Sequence, residues 1–403
     1  MESPVFLLSY QGRGKNKEKR KAILKRYGAQ QENKSHVGRA LYGQEDLFDI
    51  RRFHTLELRW NPTDAVFANA FDRLRQCSRG GEFYPVKENG GVFAWRCNAF
   101  SRNGIQVFLA RGRQNMISLT VNPRKLLEPD ASYLGIVPPY QDTLEEIRDN
   151  FTLVMRKAGL PEDMNAWQLH RLDLCVNICW NRKNAAAELI RLLRLGEPLS
   201  SAFVKESEQR RHAVRWDNGR AQLVAYDKLL QMKREGLMKG EKLPKSVLRV
   251  ELHCGRAWIR DFSKKEHLET TVDAIQALSQ NSRKLILKYA QKCMYGGMYR
   301  KLKAQLEIVD KSDGMKKKMR KRLKSILRMA NSSSLKEARK GLTEEQWETC
   351  LAHFQRLGIH PLPLREKYPV KQLPSLLMIL NELGEGRDSV SIKKNGHLVP
   401  CIF

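Results

Sequence analysis

Three segments of this chain read as β-strands that are apolar on one side and charged on the other, and this pattern restricts the fold most. They are His170 to Cys179, Ala221 to Lys228 and Val247 to Cys254. Successive side chains of a strand point to opposite faces. Leu172, Leu174 and Val176 therefore share one face, and Arg171, Asp173, Cys175 and Asn177 share the other. In the last segment Leu248, Val250 and Leu252 oppose Arg249, Glu251 and His253. Both strands thus offer Arg-x-acid on one face of a sheet whose other face is apolar. If the strands are neighbours, Asp173 and Glu251 converge.

Further strand signals begin at Phe53, with apolar and charged residues alternating through Leu56-Glu57-Leu58-Arg59-Trp60. A helical stretch follows around 65–75. Gly104 to Ala110 and Met116 to Val121 predict a hairpin around the polar connection Arg111-Gly112-Arg113-Gln114-Asn115. Helices are predicted over 143–157, stopped by Gly159-Leu160-Pro161, and over about 184–195. After Arg256 helices dominate and charge rises. From Lys311 to Lys340 there are twelve basic residues against two acidic ones. Strands first and helices later is the order of an α+β unit followed by a helical one. The expected division is a basic arm over 1–45, an α+β domain over 46–262 and a helical, basic region over 263–403.

The charge narrows the partners. Lys and Arg total 73 against 44 Asp and Glu, a formal net charge of +29 over 403 residues. A charge that large, spread along the chain, implies a polyanion: nucleic acid first, an anionic membrane surface second. No run approaches the 20 or so apolar residues that span a bilayer. The apolar patch after Met1 is too short for a signal sequence, so a soluble, intracellular protein is expected. None of the eight cysteines makes a C-x-x-C pair, and Cys175 and Cys179 suit buried, reduced thiols better than a metal cage. No G-x-x-x-x-G-K-(S/T) loop is present to cradle a triphosphate.

Two carboxylates and a histidine on a rigid sheet make a hard, oxygen-rich site. Asp173, Glu251 and His253 would suit magnesium or manganese. Cross-strand Arg–carboxylate pairs that merely neutralise the sheet are the competing reading. The segment Gln222-Leu223-Val224-Ala225-Tyr226-Asp227-Lys228 adds a tyrosine beside a lysine. A phenol of pKa about 10 needs help to act as a nucleophile, and a metal ion or Lys228 could supply it. A half-buried sheet tyrosine is the bland alternative. His54, near the first strand, reads as a satisfied surface histidine rather than a ligand.

The run Val214-Arg215-Trp216-Asp217-Asn218-Gly219-Arg220-Ala221-Gln222-Leu223-Val224-Ala225-Tyr226 resembles the V-x-W-(D/N) segment leading into L-V-A-Y in the gene II-type replication endonucleases of filamentous phages. Arg171-Leu172-Asp173 is similar to that family's R-I-D strand, and Leu248-Arg249-Val250-Glu251 to its V-R-F-E strand. Val121 to Leu127 resembles an N-P-x-K-(V/L)-L stretch, and Trp347 to Gly358 a helix ending in C-G-I. Order and spacing agree from about residue 50 to about 365. Plasmid rolling-circle initiators share R-x-D, Y-(D/E)-K and R-x-E strands, which Tyr226-Asp227-Lys228 also fits. The chain departs from many other initiators in lacking a His-hydrophobe-His triplet, and residues 1–45 have no counterpart.

The resemblance implies an antiparallel sheet nuclease core of the rolling-circle initiator type. It implies a metal-dependent nick at an origin, with Tyr226 joined to a 5′ phosphate and the freed 3′ hydroxyl priming synthesis. Asp173 and Glu251 would hold the metal, His253 would assist, and Lys228 would steady phosphate or phenolate. Origin DNA, single-stranded and duplex, would be the partner, with a host helicase and polymerase in the cytoplasm of a bacterial host.

Two basic segments complete the reading. Lys15 to Arg26 could lie along phosphates or be a solvated tail. Met315, Met319, Leu323, Ile326 and Ala330 form a helical stripe. The other face carries Lys316, Lys317, Lys318, Arg320, Lys321, Arg322, Lys324 and Arg328, which suits duplex phosphates. Arg171 and Arg249 are further candidates for DNA contact.

Overall fold

The computed structural model describes residues 53–400, apart from 89–90, 131–133, 138–139, 181, 197, 200–203, 208–211, 239–243, 369, 385–389 and 393–397. The N-terminal basic run Lys15 to Arg26 and Cys401 lie outside the described residues.

The alternating segments do form strands. Strand β1 (Phe53–Trp60) is followed by helix α1 (Asp64–Cys77) and by β2 (Phe83–Glu88), β3 (Gly91–Cys97), β4 (Ile105–Ala110) and β5 (Met116–Val121). Helices α2 (Pro123–Leu127) and α3 (Gln141–Ala158) lead to β6 (Gln168–Trp180) and α4 (Ala185–Leu195). Strands β7 (Val204–Ser207), β8 (Ala213–Asp217) and β9 (Ala221–Asp227), helix α5 (Lys228–Arg234) and β10 (Ser246–Gly255) finish the sheet region.

One ten-stranded sheet results, in the order β2-β3-β4-β5-β1-β6-β10-β9-β8-β7. Every pairing in it is antiparallel. The expected hairpin is β4–β5, with Ala110 opposite Met116. Helix α3 ends where Gly159 takes a left-handed φ of +68°, and the Arg73 side chain occupies the space a Cβ there would need. Glycine suits that corner, since a left-handed φ strains most side chains and a Cβ would displace the Arg73 side chain.

The apolar face is the core face. Leu56, Leu58, Leu172, Leu174, Val176, Val250 and Leu252 are all buried in a single cluster with α1, α3 and α4 side chains. At one end of the sheet Phe71 of α1 meets Phe83 and Trp95 edge-on, each at 5.0 Å.

The later chain is helical: α6 (Arg256–Lys265), α7 (Thr271–Gln280), α8 (Ser282–Cys293), α9 (Leu302–Asp310), α10 (Lys317–Ser332), α11 (Leu335–Arg339), α12 (Glu344–Arg356) and α13 (Leu376–Gly384). A two-stranded ribbon joins β11 (Met298–Arg300) to β12 (Gln372–Pro374). Ile275 of α7 and Ile286 of α8 belong to the same buried cluster as the sheet, and so do Leu323 of α10 and Trp347 of α12. The architecture is α+β, a large antiparallel sheet with most helices on its apolar side and the short α5 against the other. No helix among the described residues is long and apolar enough to cross a membrane. Cys97, Cys175, Cys254, Cys293 and Cys350 are buried and form no disulfide.

Candidate active site

Strand order places the two Arg-x-acid strands side by side, because β10 pairs with β6 and with β9. His253 stands directly opposite Asp173, and Arg249 directly opposite Tyr226. Glu251 is then the diagonal neighbour of both Asp173 and Tyr226, within reach of long side chains on one face. The Tyr226 hydroxyl donates to Glu251 Oε1 at 2.7 Å. His253 Nε2 lies 2.9 Å from Glu251 Oε2 and 4.0 Å from Asp173 Oδ2.

Asp173, Glu251 and His253 each bring a ligating atom to within 4.8 Å of the others. Two buried carboxylate oxygens and an imidazole nitrogen are a donor set that fits a hard divalent cation. Asp173 is 2 % exposed, and burial raises its pKa, against the pull of His253 and Arg171. A site that buries a carboxylate at such cost is one that positive charge relieves. Glu251 behaves oppositely. Burial would raise its pKa, but the hydrogen bond to His253 and the adjacent basic groups His54 and Arg249 hold it well below the usual carboxylate range.

Tyr226 sits half-buried at the end of β9, and its phenol pKa is raised well above the ordinary value by burial and then by the Glu251 charge. Lys228, the first residue of α5, is 3 % exposed and lies 5.9 Å from the centre of the Tyr226 ring. Its ammonium donates to Gln231 Oε1 at 3.0 Å. Burial and the charge on Arg249 lower its pKa to about 7.

Of the two arginines expected to contact DNA, Arg249 is placed where it cannot. Arg249 is 0 % exposed; its Nε donates to Asn177 Oδ1 at 2.7 Å and an Nη to the Leu134 carbonyl at 2.8 Å. It is a core strut under the site, sealed off because α5 and the segment around Leu134 cover that end of the face. Arg171 remains partly exposed but grips Asp173 with two bonds of 2.7 and 2.8 Å. Its first role is to orient that carboxylate.

His54 corrects the surface-histidine reading. It falls at a bulge in the β1–β6 ladder, between the pairs Phe53–Leu174 and Thr55–Asp173. Its Nδ1 lies 2.7 Å from Thr55 Oγ1. Burial, with Arg249 and Lys228 nearby, lowers its pKa to about 3, and Glu251 pulls the other way. A bulge re-aims a side chain, and nothing in the period-two pattern of the sequence reveals it.

On α10 the stripe holds: Leu323, Ile326 and Ala330 are buried, with Met319 packed against the same core. Lys316, Lys317, Lys318 and Lys321 are exposed. Three other expected phosphate ligands, Arg320, Arg322 and Lys324, are half-buried. Arg320 donates to the Ser312 carbonyl at 2.6 Å, and Lys324 pairs with Asp310 at 2.5 Å.

Comparison with known proteins adds little to this geometry. No family model matches the chain, and no curated protein does. Among solved structures the chain is similar to the rolling circle replication initiator protein from Geobacillus stearothermophilus, at 11% identity over 77% of this chain and 98% of that one, with a TM-score of 0.30. A TM-score that low does not establish a shared fold.

Proposed function

We propose that this protein is a DNA-nicking and joining endonuclease that initiates rolling-circle replication. The observation that carries the proposal is the Tyr226 hydroxyl bonded to Glu251 at 2.7 Å, on the sheet face where Asp173, Glu251 and His253 converge. The charge of +29 and the motif resemblance along residues 50–365 support a DNA substrate.

In the proposed reaction Tyr226 Oη attacks a backbone phosphorus and forms a phosphotyrosine ester to the 5′ side. The bond from phosphorus to O3′ breaks, and that oxygen takes a proton to become a free 3′ hydroxyl. Rejoining is the reverse attack, so phosphodiester energy is conserved and no nucleotide cofactor is needed. Asp173, Glu251 and His253 would hold magnesium or manganese, whose charge would polarise the phosphate and ease loss of the phenol proton. Glu251 Oε1 accepts the phenol hydrogen bond and so lies where that proton must leave. Arg171 fixes Asp173, and Arg249 supports the strand from beneath. Lys228, with a pKa near neutrality, can present an ammonium beside the phenolate or give up its proton. Lys316, Lys317, Lys318 and Lys321 of the α10 region would hold duplex phosphates. A host helicase and polymerase would act on the nicked product.

The test is a nicking assay on supercoiled DNA carrying the element's own origin, with magnesium or manganese, resolved on a denaturing gel with and without protease. A protein-linked 5′ end is the expected product. Cleavage without a link would make this a water-using nuclease, and no cleavage at a verified origin would leave a DNA-binding protein.

A further inference from the structure

The polar face of the sheet extends well beyond the tyrosine centre, and its far end carries exposed aromatic rings. Across the ladder Tyr84 of β2 lies opposite Arg96 of β3, Arg96 opposite Phe108 of β4, Phe108 opposite Ser118 of β5, and Ser118 opposite Arg59 of β1. Residues directly opposite share a face. On β1 the same face continues through Glu57 to Thr55, which pair with Arg171 and Asp173. Contacts agree with this register: Arg59 donates to Glu57 at 2.7 Å, and Ser118 Oγ reaches the same carboxylate at 3.5 Å.

These rings are not core residues. The helix α1 covers the opposite face through Phe71, Phe83 and Trp95. Tyr84 is 36% exposed and Phe93, set on a bulge of β3, is 42% exposed. Phe93 leans toward Phe108 with ring centres 6.3 Å apart, and the Arg96 guanidinium lies 6.0 Å from the Phe108 centre. Phe108 is half-buried beside them, and contiguous apolar rings open to solvent mark interaction sites.

We propose that Tyr84, Phe93, Arg96 and Phe108 form a stacking platform for the bases of single-stranded DNA leading to Tyr226. Aromatic faces take up unpaired bases, and interleaved arginines add cation–π and phosphate attraction. Duplex DNA is excluded as the occupant because its bases are stacked inside the helix and offer no free face. An apolar protein partner is disfavoured by Arg96 and Arg59 within the row and by the chain's +29 charge. The strands from β4 to β10 are four spacings apart, roughly 19 Å. Phe108 lies level with Gln168 on β6 while Glu251 lies level with Cys175, roughly 23 Å along the strands, so the two are about 30 Å apart. A few nucleotides bridge that distance. The platform rests on the nicking proposal only in the direction assigned to the strand.

The experiment is equilibrium binding of a fluorescent oligothymidylate, and of an abasic oligonucleotide of equal length, to the full chain in EDTA. The wild type should prefer the oligothymidylate. The double variant F93A/F108A should lose roughly ten- to a hundredfold in oligothymidylate affinity and bind the abasic strand as the wild type does. Phe93→Trp should keep the preference, and a circular dichroism melt guards against misfolding. Wild-type preference retained by F93A/F108A, or equal loss on both strands, overturns the platform. Because cleavage is absent in EDTA, failure of the nicking proposal would leave this binding result standing, and the converse also holds.

Discussion

Tyr226 donates its hydroxyl hydrogen to Glu251 Oε1 across the β9–β10 ladder, at 2.7 Å, while the other oxygen of the same carboxylate meets His253 at 2.9 Å. One buried acid therefore links the candidate nucleophile to the candidate metal ligands. Removing the hydroxyl separates chemistry from scaffold. Tyr226→Phe keeps the ring on β9 and loses one charge-assisted bond, a cost of about 1.5–3 kcal/mol. It should abolish nicking and leave origin-DNA binding within a few fold, read by gel assay and by anisotropy. Full nicking by this variant would sink the tyrosine assignment.

Glu251→Gln tests the metal set. The substitution keeps the shape and one acceptor oxygen while removing the charge that a divalent cation needs. The midpoint of a manganese titration of nicking should rise by about tenfold or more, with an unaltered far-ultraviolet spectrum. An unchanged midpoint would take Glu251 out of the metal site.

His54 gives a third prediction. Its place on the β1 bulge, among Arg249, Glu251, Lys228 and His253, makes it part of the centre rather than of the surface. His54→Ala should slow nicking by about a hundredfold without weakening oligonucleotide binding. Wild-type rates in this variant would return His54 to a structural role.

How far the sequence disclosed this centre depends on the element. Period-two alternation placed β6 and β10 and the polar face with Asp173, Glu251 and His253, since only one register buries Leu172, Val250 and Leu252 together. It did not disclose β2 and β3. Pro85 and a charged tail blur β2, and the bulge that offsets Phe93 breaks the alternation of β3. The same physics hid His54. Arg249 misled in the other direction: an arginine on a polar face reads as exposed, and only the tertiary cover from α5 and Leu134 turned it into a buried strut.

The basic helix α10 divides into outward and inward cations, and this makes a separable prediction. The triple variant K317Q/K318Q/K321Q removes exposed charge only. Its DNA affinity should fall, and its salt dependence should flatten by about 0.9 for each phosphate that is no longer neutralised. Arg320→Ala, which unties the Ser312 carbonyl, should lower the melting temperature instead. An unchanged salt slope in the triple variant would remove α10 from the DNA interface.

His360 predicts how the fold responds to acid. It is 3% exposed, accepts a bond from the Leu362 amide at 3.0 Å through Nδ1, and lies on Tyr299 with ring centres 4.0 Å apart. Burial lowers its pKa from 6.5 to about 3. Between those values the unfolded chain binds a proton that the folded chain refuses, so protonation draws the equilibrium toward unfolding as pH falls below 6.5. The contribution approaches about 1.4 kcal/mol per pH unit in that window and vanishes above it. His360→Asn keeps an acceptor for Leu362 but no longer titrates. It should be less stable than the wild type at pH 7.5, and the gap should narrow as urea unfolding is followed down to pH 5. A gap that stays constant with pH would mean that His360 titrates alike in both states, and one that widens from pH 7.5 to 6.5 that it is already charged in the fold.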